Sequence, residues 1–204
     1  ILCKGAPGLG KTLTAEVYAE VVGKPLYRVH SGQLGVTASS VEASLTRILQ
    51  RAARWGCVLL LDEADVYIRR RDNDLQHNAI VAEFLRTLEY FSGLLFMTTN
   101  RVGDIDEAIL SRCIAVIDYQ PPGPDDARRL WATLSAQLGV ELPAAVIDRL
   151  VVDYAGASGR DIKELLKLTS KYCRRKELPL STQSFAQCAV FRGIAPAASP
   201  GGTA

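Results

Sequence analysis

Eight residues near the start of the chain form a complete phosphate-binding pattern. They match G-x-x-x-x-G-K-[ST] and read Gly5, Ala6, Pro7, Gly8, Leu9, Gly10, Lys11 and Thr12. Glycines let the backbone curve closely, so that successive N–H groups point at phosphate oxygens. A lysine and a hydroxyl at the end of the pattern then reach the β- and γ-phosphates and Mg²⁺. We predict that these residues, with Leu13 after them, bind a nucleotide, and that Thr12 is a Mg²⁺ ligand.

A pair of acids forms the second candidate element. Residues 58–61 are a continuous apolar run, typical of a parallel strand buried on both faces, and Asp62 and Glu63 follow it directly. An aspartate at such a strand end can hold Mg²⁺, here through water, and the next carboxylate can polarise the attacking water. We therefore predict Asp62 as a metal-binding residue and Glu63 as the catalytic base. Asp65, two residues further on, receives no predicted role.

These motifs must be positioned by alternating strands and helices. Apolar runs predict strands near residues 1–4, 26–30, 57–61, 94–98 and 113–118. Helical spacing, such as that of Leu13, Val17 and Val21, predicts helices over residues 11–22, 39–54, 75–90 and 106–111. Ser39 and Glu42 resemble a capping box at the start of the second helix. This alternation predicts an α/β fold, a P-loop NTPase parallel sheet sandwiched by helices.

A third polar group follows the fourth predicted strand. Asn100 lies at the carboxyl end of that strand, which we expect beside the strand of Asp62. Open α/β sheets bind ligands at this edge, so the amide of Asn100 can orient the attacking water or contact the γ-phosphate. The chain has no N-K-x-D base-reading motif, which favours ATP over GTP. We therefore predict ATP and Mg²⁺ as the bound groups.

Composition restricts the class of protein. The chain has 204 residues, 48% of them apolar, and no run approaches the roughly 18 apolar residues of a membrane-spanning helix. Its formal charge of +2 lacks the basic surplus of a dedicated nucleic-acid binder. The five cysteines are scattered without a C-x-x-C pair, so we expect reduced thiols in the core. No secretory signal pattern is present, and a cytoplasmic location is predicted.

The alternating pattern ends at a Pro- and Gly-rich break over residues 119–125. Apolar residues then recur at helical spacing, which predicts a small helical domain. The last ten residues, APAASPGGTA, have the composition of a linker or disordered tail. We predict a P-loop core over 1–120, a helical domain over 121–192 and a disordered tail over 193–204. Because so few residues precede Gly5, we expect the core to be truncated at its N-terminus.

Several ordered segments resemble AAA+ ATPases. The stretch LFMTTNRVGDIDEAILSRC resembles their second region of homology, and PLYRVHSGQLG, VLLLDEADVYI and FLRTLEYFSGLLFMTTNR resemble a fungal and bacterial AAA branch. The resemblance covers about residues 1–175. It implies that Asn100 is sensor 1, that Arg112 is an arginine finger acting in trans, and that the helical domain is the AAA+ lid. In that lid Arg160, in a helix capped by Ser158, holds the sensor-2 position.

The resemblance also implies an assembly and a task. An arginine finger that completes a neighbour's site requires a homo-oligomer, here a ring of six subunits. The implied function is ATP hydrolysis coupled to remodelling of a protein or complex, with an unknown protein client. A nucleic-acid motor or clamp-loader-like ATPase is the alternative, since Ser111, Arg112 and Cys113 also match clamp-loader fingers; nucleic acid is possible as a partner but not favoured. DEAD-box helicases are excluded because their later motifs are absent.

Four further features stay open to a structural interpretation. Residues 31–36 occupy the place of the AAA+ pore loop without its aromatic residue, so either Leu34 contacts a threaded chain or the stretch is a plain surface loop. The basic run over residues 69–71 is interpreted as a solvated face, as is the cluster of Lys171 and residues 174–176. His77 is interpreted as a solvated polar residue.

Overall fold

A five-stranded parallel sheet organises the first of two units, Ile1–Gln120, in the computed structural model, which describes residues 1–194 and 196. Its strands are β1 (Leu2–Gly5), β2 (Leu26–His30), β3 (Val58–Asp62), β4 (Leu95–Thr99) and β5 (Val116–Tyr119). Its helices are α1 (Lys11–Val21), α2 (Ala38–Trp55), α3 (Asp65–Ile68), α4 (Leu75–Leu88) and α5 (Glu107–Arg112). The strand order is β2-β3-β4-β1-β5, which confirms the predicted fold class.

The two faces of the sheet are covered by different helices. In β3 the side chains of Leu59 and Leu61 belong to a core cluster that includes residues of α2 and α4. The alternate residues Val58 and Leu60 pack in a second cluster with Ala15 and Ala19 of α1. Successive side chains of a strand point to opposite faces, so a strand covered on both faces is apolar throughout. This is why residues 58–61 form an unbroken apolar run.

Helix α1 packs on the sheet through small residues rather than through its periodic apolar ones. Ala15 and Ala19 are buried, whereas Leu13, Val17 and Val21 are largely exposed. The helix itself is confirmed. Alanines allow the helix axis to approach the sheet closely, directly after the phosphate-binding loop.

The capping box predicted at Ser39 is wrong. Helix α2 begins at Ala38, and its N-cap is Thr37, whose hydroxyl accepts from the backbone N–H of Ser40. The Ser40 hydroxyl in turn accepts from the backbone N–H of Thr37. A serine can thus replace the usual glutamate of the box, and the helix starts one position earlier than predicted.

Gly5 allows β1 and β5 to approach closely. Its φ of 146° lies in the region that favours glycine, and a Cβ at this position would lie 2.5 Å from the carbonyl oxygen of Tyr119. Tyr119 is the last residue of β5, which pairs with β1 in parallel register. The first glycine of the phosphate-binding pattern is therefore required by sheet packing.

The second unit begins at Pro121 and consists of helices in its described part. These are α6 (Pro124–Gln137), α7 (Ala144–Asp153), α8 (Gly159–Lys176) and α9 (Thr182–Val190). Their core centres on Trp131, Leu150, Leu166 and Phe185, which are fully buried. The predicted tail falls mostly outside the described residues. In the described part of the chain no helix is long and apolar enough to cross a membrane.

Leu34 is buried, so the suggestion that it contacts a threaded chain is wrong. Its exposed fraction is 0%, whereas that of Val36 is 80%. The Tyr67 hydroxyl lies 2.9 Å from the carbonyl oxygen of Ser31 and 2.8 Å from that of Gly35. Leu34 thus anchors this loop to the core, and Val36 is the apolar residue that it presents to solvent.

Candidate functional site

Three neighbouring strands bring the candidate residues to one edge of the sheet. Strand β4 lies between β3 and β1, and all three run in parallel. The phosphate-binding loop follows β1, Asp62 ends β3, and Asn100 follows β4. Because the carboxyl ends of parallel strands meet at one edge, segments far apart in sequence become neighbours there.

Lys11 connects the loop after β1 to the end of β4. Its side chain is buried, and Nζ donates to the carbonyl oxygens of Gly5 and Ala6, each at 2.7 Å, and to Oδ1 of Asn100 at 2.9 Å. A buried ammonium that donates to several oxygen atoms is held at one place. The same ammonium can therefore meet phosphate oxygens without a large rearrangement.

The loop itself has the conformation that phosphate binding requires. Gly8 and Gly10 have φ of 82° and 97°, in the left-handed region. Among the described residues, no heavy atom beyond those of Gly10 and its two chain neighbours lies within 4 Å of the position that a Cβ on Gly10 would take. Helix α1 starts at the next residue, without a side-chain cap or an acid in its first turn. The positive end of the helix therefore faces open space suited to an anion.

Asp62 is a buried carboxylate with three side-chain donors. Its Oδ1 accepts from the hydroxyls of Thr98 at 2.6 Å and Thr12 at 3.0 Å, and its Oδ2 accepts from Arg28 at 2.5 Å. Burial by itself would raise the pKa of Asp62, but these hydrogen bonds and the charge of Arg28 outweigh it, so the pKa is lowered. The carboxylate is therefore ionised at neutral pH.

The residues around Asp62 fit a magnesium ion held partly by substrate. The Thr12 hydroxyl and the Asp62 carboxylate are hard oxygen donors within 3.0 Å of each other. In the described part of the chain no cluster of three or more His, Cys, Asp or Glu residues forms a metal site. Mg²⁺ is commonly held by one or two protein groups together with phosphates and water, so a sparse donor set of this kind suits it.

Glu63 has an unusual backbone conformation for a residue other than glycine. Its φ is 59°, its side chain is exposed, and its N–H donates to the Thr98 hydroxyl at 3.0 Å. A left-handed conformation costs such a residue about 1–2 kcal/mol, so surrounding bonds must maintain it. Thr98 thus contacts both acids of the pair. Sequence reasoning missed Thr98, although it lies two residues before Asn100.

Asp65 also takes part in the network at the strand ends. Its Oδ1 accepts from the hydroxyl of Thr99 and from the backbone N–H of Asn100, the latter at 3.2 Å. No local sequence pattern indicated a role for Asp65, because its partners lie 34 and 35 positions away. The only available signal was its position two residues after Glu63.

The two candidate arginines belong to two other helices, α5 and α8. Arg112 ends α5, where its Nη2 lies 2.5 Å from Oε1 of Glu89 and its Nη1 donates to the carbonyl oxygen of Ala108 at 3.2 Å. Arg160 belongs to the second unit and is exposed in the first turn of α8. Ser158 caps that helix as predicted, and it forms a capping box with Asp161.

The basic run after α3 is not simply a solvated face. Arg69 pairs with Asp72 at 3.1 Å, Arg70 with Glu107 at 3.3 Å, and Arg71 with Asp106 at 2.9 Å. Two of these acids lie at the start of α5, so the run connects the segment after α3 to that helix.

The interpretation of His77 as solvated is wrong. The residue is buried in α4, with Nε2 3.4 Å from the carbonyl oxygen of Arg69. It therefore packs beneath the basic run.

A parallel sheet of this order, with a lysine-containing phosphate loop after β1 and an acid at the end of β3, defines a P-loop nucleotide-binding domain. The chain matches the model of the ATPase family associated with various cellular activities (AAA) over residues 1–120, and it belongs to that family. It is a nucleotide-binding module of AAA ATPases, as the motif order predicted.

Two curated proteins and one solved structure show its relationships. The chain is 34% identical to the AAA family ATPase y4kL of Sinorhizobium fredii, over 58% of this chain and 38% of that protein. It is 31% identical to spastin of Naegleria gruberi, over 83% of this chain and 35% of that protein. The crystal structure of the FIGL-1 AAA domain in complex with ADP is similar in fold, with a TM-score of 0.76 and 20% identity over 98% of this chain and 73% of that chain. The chain thus spans little more than a third of either curated relative.

Proposed function

We propose that this chain binds ATP with Mg²⁺ and hydrolyses it at the strand ends of its first unit. The observation that supports this most directly is the double connection across that edge, from Lys11 to Asn100 and from Thr12 to Asp62. Lys11 and backbone N–H groups of the loop 5–12, in which Pro7 has none, bind the phosphates, and Thr12 and Asp62 would hold the metal. Bound Mg²⁺ neutralises charge on the β- and γ-phosphates.

In this proposal Glu63 accepts the proton of the attacking water, and Asn100 orients that water against the γ-phosphate. Glu63 follows Asp62 directly and its side chain is exposed, and Thr98 contacts both residues. A positioned carboxylate of this kind typically accelerates a proton transfer by about 10²–10⁴-fold. The metal residue and the base are therefore held together by one threonine.

We further propose that the chain works in a homo-oligomeric ring, most simply of six subunits, and remodels a protein client. Arg112 would then complete the site of a neighbouring subunit, and Arg160 would act from the second unit, with residues 1–120 as core and 121–192 as lid. The family and the relatedness to spastin support this. Each arginine of the basic run has an acidic partner, which favours a protein client over nucleic acid. A cytoplasmic location stays a prediction.

The decisive variant for hydrolysis is Glu63→Gln, which removes the base and keeps the side-chain size. We expect ATP affinity within about threefold of wild type and a loss of turnover of at least about 100-fold, measured by calorimetry and phosphate release. Glu20→Gln, an exposed change on α1, is the matched control and should leave both unchanged. Turnover at the wild-type rate in Glu63→Gln would remove Glu63 from the role of base.

The assembly and the client class need a second experiment. Sedimentation of the Glu63→Gln variant with ATP should show rings that the nucleotide-free chain does not form. Salt-sensitive binding of DNA or RNA that stimulates hydrolysis would instead support the nucleic-acid motor or clamp-loader-like alternative. If the wild-type chain hydrolyses ATP at its full rate while it stays monomeric at all ATP concentrations, the proposed ring is contradicted.

A further inference from the structure

The fourth residue of the Asp-Glu-Ala-Asp segment contacts the end of the neighbouring strand. Asp65 is the first residue of α3, and its Oδ1 accepts from the Thr99 hydroxyl and from the Asn100 backbone N–H. Thr99 is almost fully buried. Its hydroxyl oxygen also accepts from the backbone N–H of Arg101 at 2.9 Å. The carboxylate therefore lies at the centre of the turn that presents Asn100.

These contacts hold Asn100 at two separate atoms. The backbone N–H is held by Asp65 at 3.2 Å, and the side-chain oxygen is held by Lys11 at 2.9 Å. Thr98, two residues before Asn100, contacts Asp62 and Glu63. Residues 98–100 are thus bonded in succession to acids of the segment 62–65, so the end of β4 and that segment form one connected network.

The role of Asp65 differs from that of an ordinary acid at the start of a helix. Such an acid usually stabilises its own helix by meeting the positive end of the helix dipole. Helix α3 has only four residues, however, and Asp65 bonds to groups 34 and 35 positions away. Hydrogen bonds to a charged acceptor are about twice as strong as neutral ones, which suits a carboxylate that must fix a turn.

We propose that Asp65 is a positioning residue for ATP hydrolysis, acting through Asn100. By holding the backbone of Asn100, it keeps the side-chain amide beside Lys11 and thus at the phosphate end of the site. This inference rests on the proposed function of Asn100. Asp65 thus contributes to the rate of the chemical step and does not contribute to nucleotide affinity.

The test compares Asp65→Ala, Asn100→Ala and the double variant in the full chain. We expect Asp65→Ala to lower kcat about 10- to 100-fold, because small displacements of an orienting group are costly, with ATP affinity within about threefold of wild type. The double variant should be no slower than Asn100→Ala alone, because the two residues act as one unit. Asp65→Asn retains an oxygen acceptor and should recover most of the loss. Asp126→Ala, an exposed acid of α6, is the matched control.

Hydrogen exchange adds a readout that is independent of turnover. The Asn100 amide proton should exchange faster in Asp65→Ala and stay protected in Asp65→Asn. If Asp65→Ala unfolds, Thr99→Val removes one donor to the same carboxylate and should lower kcat at unchanged ATP affinity.

Two outcomes would overturn the inference. One is wild-type kcat in Asp65→Ala while the wild-type chain hydrolyses ATP; the other is full additivity with Asn100→Ala. A wild-type chain without turnover would instead overturn the proposed function itself, and the two failures are thereby distinguished.

Discussion

The strand-end site and the tip of α5 are built in opposite ways. At the strand ends Lys11 and Asp62 are buried, and each has at least three oxygen or nitrogen partners. At the tip of α5, Arg112 is 43% exposed and pairs with the carboxylate of Glu89, itself 49% exposed. The first arrangement is organised within one chain. The second is easily rearranged, because an exposed ion pair contributes only about 0–1 kcal/mol.

This contrast suits two different tasks. A group that meets its own nucleotide benefits from a fixed position before the substrate arrives, since less reorganisation is then needed. A group proposed to act on a neighbouring subunit must leave its partner within the chain when the neighbour docks. A weak ion pair with Glu89 allows that exchange at little cost in free energy.

The largest effect is expected at Arg112, and it tests whether this residue acts on the nucleotide of a neighbouring subunit. Arg112→Ala should lower kcat by about 10³-fold or more, as for other arginine fingers, and leave ATP affinity unchanged. Mixing it with Lys11→Ala, which supplies Arg112 but cannot bind phosphate, should restore part of the activity in a phosphate-release assay. Arg129→Ala on α6 is an exposed control. An inactive mixture, despite mixed oligomers, would show that Arg112 does not act in trans.

A smaller effect is expected at the N-terminal end of α5, where the cap residue Asp106 is buried. Asp106 caps α5 through the N–H of Ala108 at 2.9 Å and pairs with Arg71. Burial alone would raise the pKa of Asp106, but hydrogen bonds from Arg71 and from the backbone outweigh it and lower the pKa. Asp106→Asn should therefore reduce the free energy of unfolding by about 1–3 kcal/mol at pH 7, measured with urea.

The loss in the free energy of unfolding caused by Asp106→Asn should depend on pH in one direction. A carboxylate whose pKa is lowered by folding stabilises the folded state fully above its unfolded pKa of about 3.9. The stabilisation is lost as pH falls through the lower, folded-state pKa. Wild type and Asp106→Asn should therefore converge in stability below about pH 4, whereas Asp126→Asn should match wild type throughout. An equal deficit at pH 7 and at pH 3 would show that charge is not the cause.

The smallest effect is expected at Glu89. Glu89→Gln removes the charge that faces Arg112 and should change the free energy of unfolding by less than about 1 kcal/mol. ATP affinity should not change, because Glu89 makes no contact with the loop of residues 5–12 among the hydrogen bonds and ion pairs of the described residues. If Glu89→Gln lowers the free energy of unfolding in urea by more than about 2 kcal/mol, the ion pair with Arg112 is not weak, and the contrast with the strand-end site does not hold.

Local patterns predicted most of the fold. The hydrogen bonds and ion pairs between side chains far apart in the sequence could not be predicted. The loop from Gly5 to Thr12 and the apolar run before Asp62 specify strand, turn and helix from neighbouring residues alone. The partners of Asp65 and Arg71 lie 34 or 35 positions away, so no local pattern could indicate them. The ion pairs of Arg70 and Arg71 with the start of α5 could not be predicted for this reason.

Two further errors have the same physical origin. Leu34 was considered as a surface contact because its loop resembles a pore loop, yet its side chain fills the core. The start of α2 was placed at Ser39 because Glu42 follows at the usual spacing, whereas Thr37 and Ser40 form the box. Short polar residues have several possible partners, and tertiary packing selects among them.

The position of β4 between β1 and β3 has a consequence for synthesis of the chain. Chains emerge from the ribosome N-terminal end first, and contacts between distant residues form late. The bond from the Lys11 ammonium to Asn100, 89 residues later, cannot form until the end of β4 has been made. The phosphate loop is made before that strand, so a nascent chain can complete its nucleotide site only after Asn100 has also been translated.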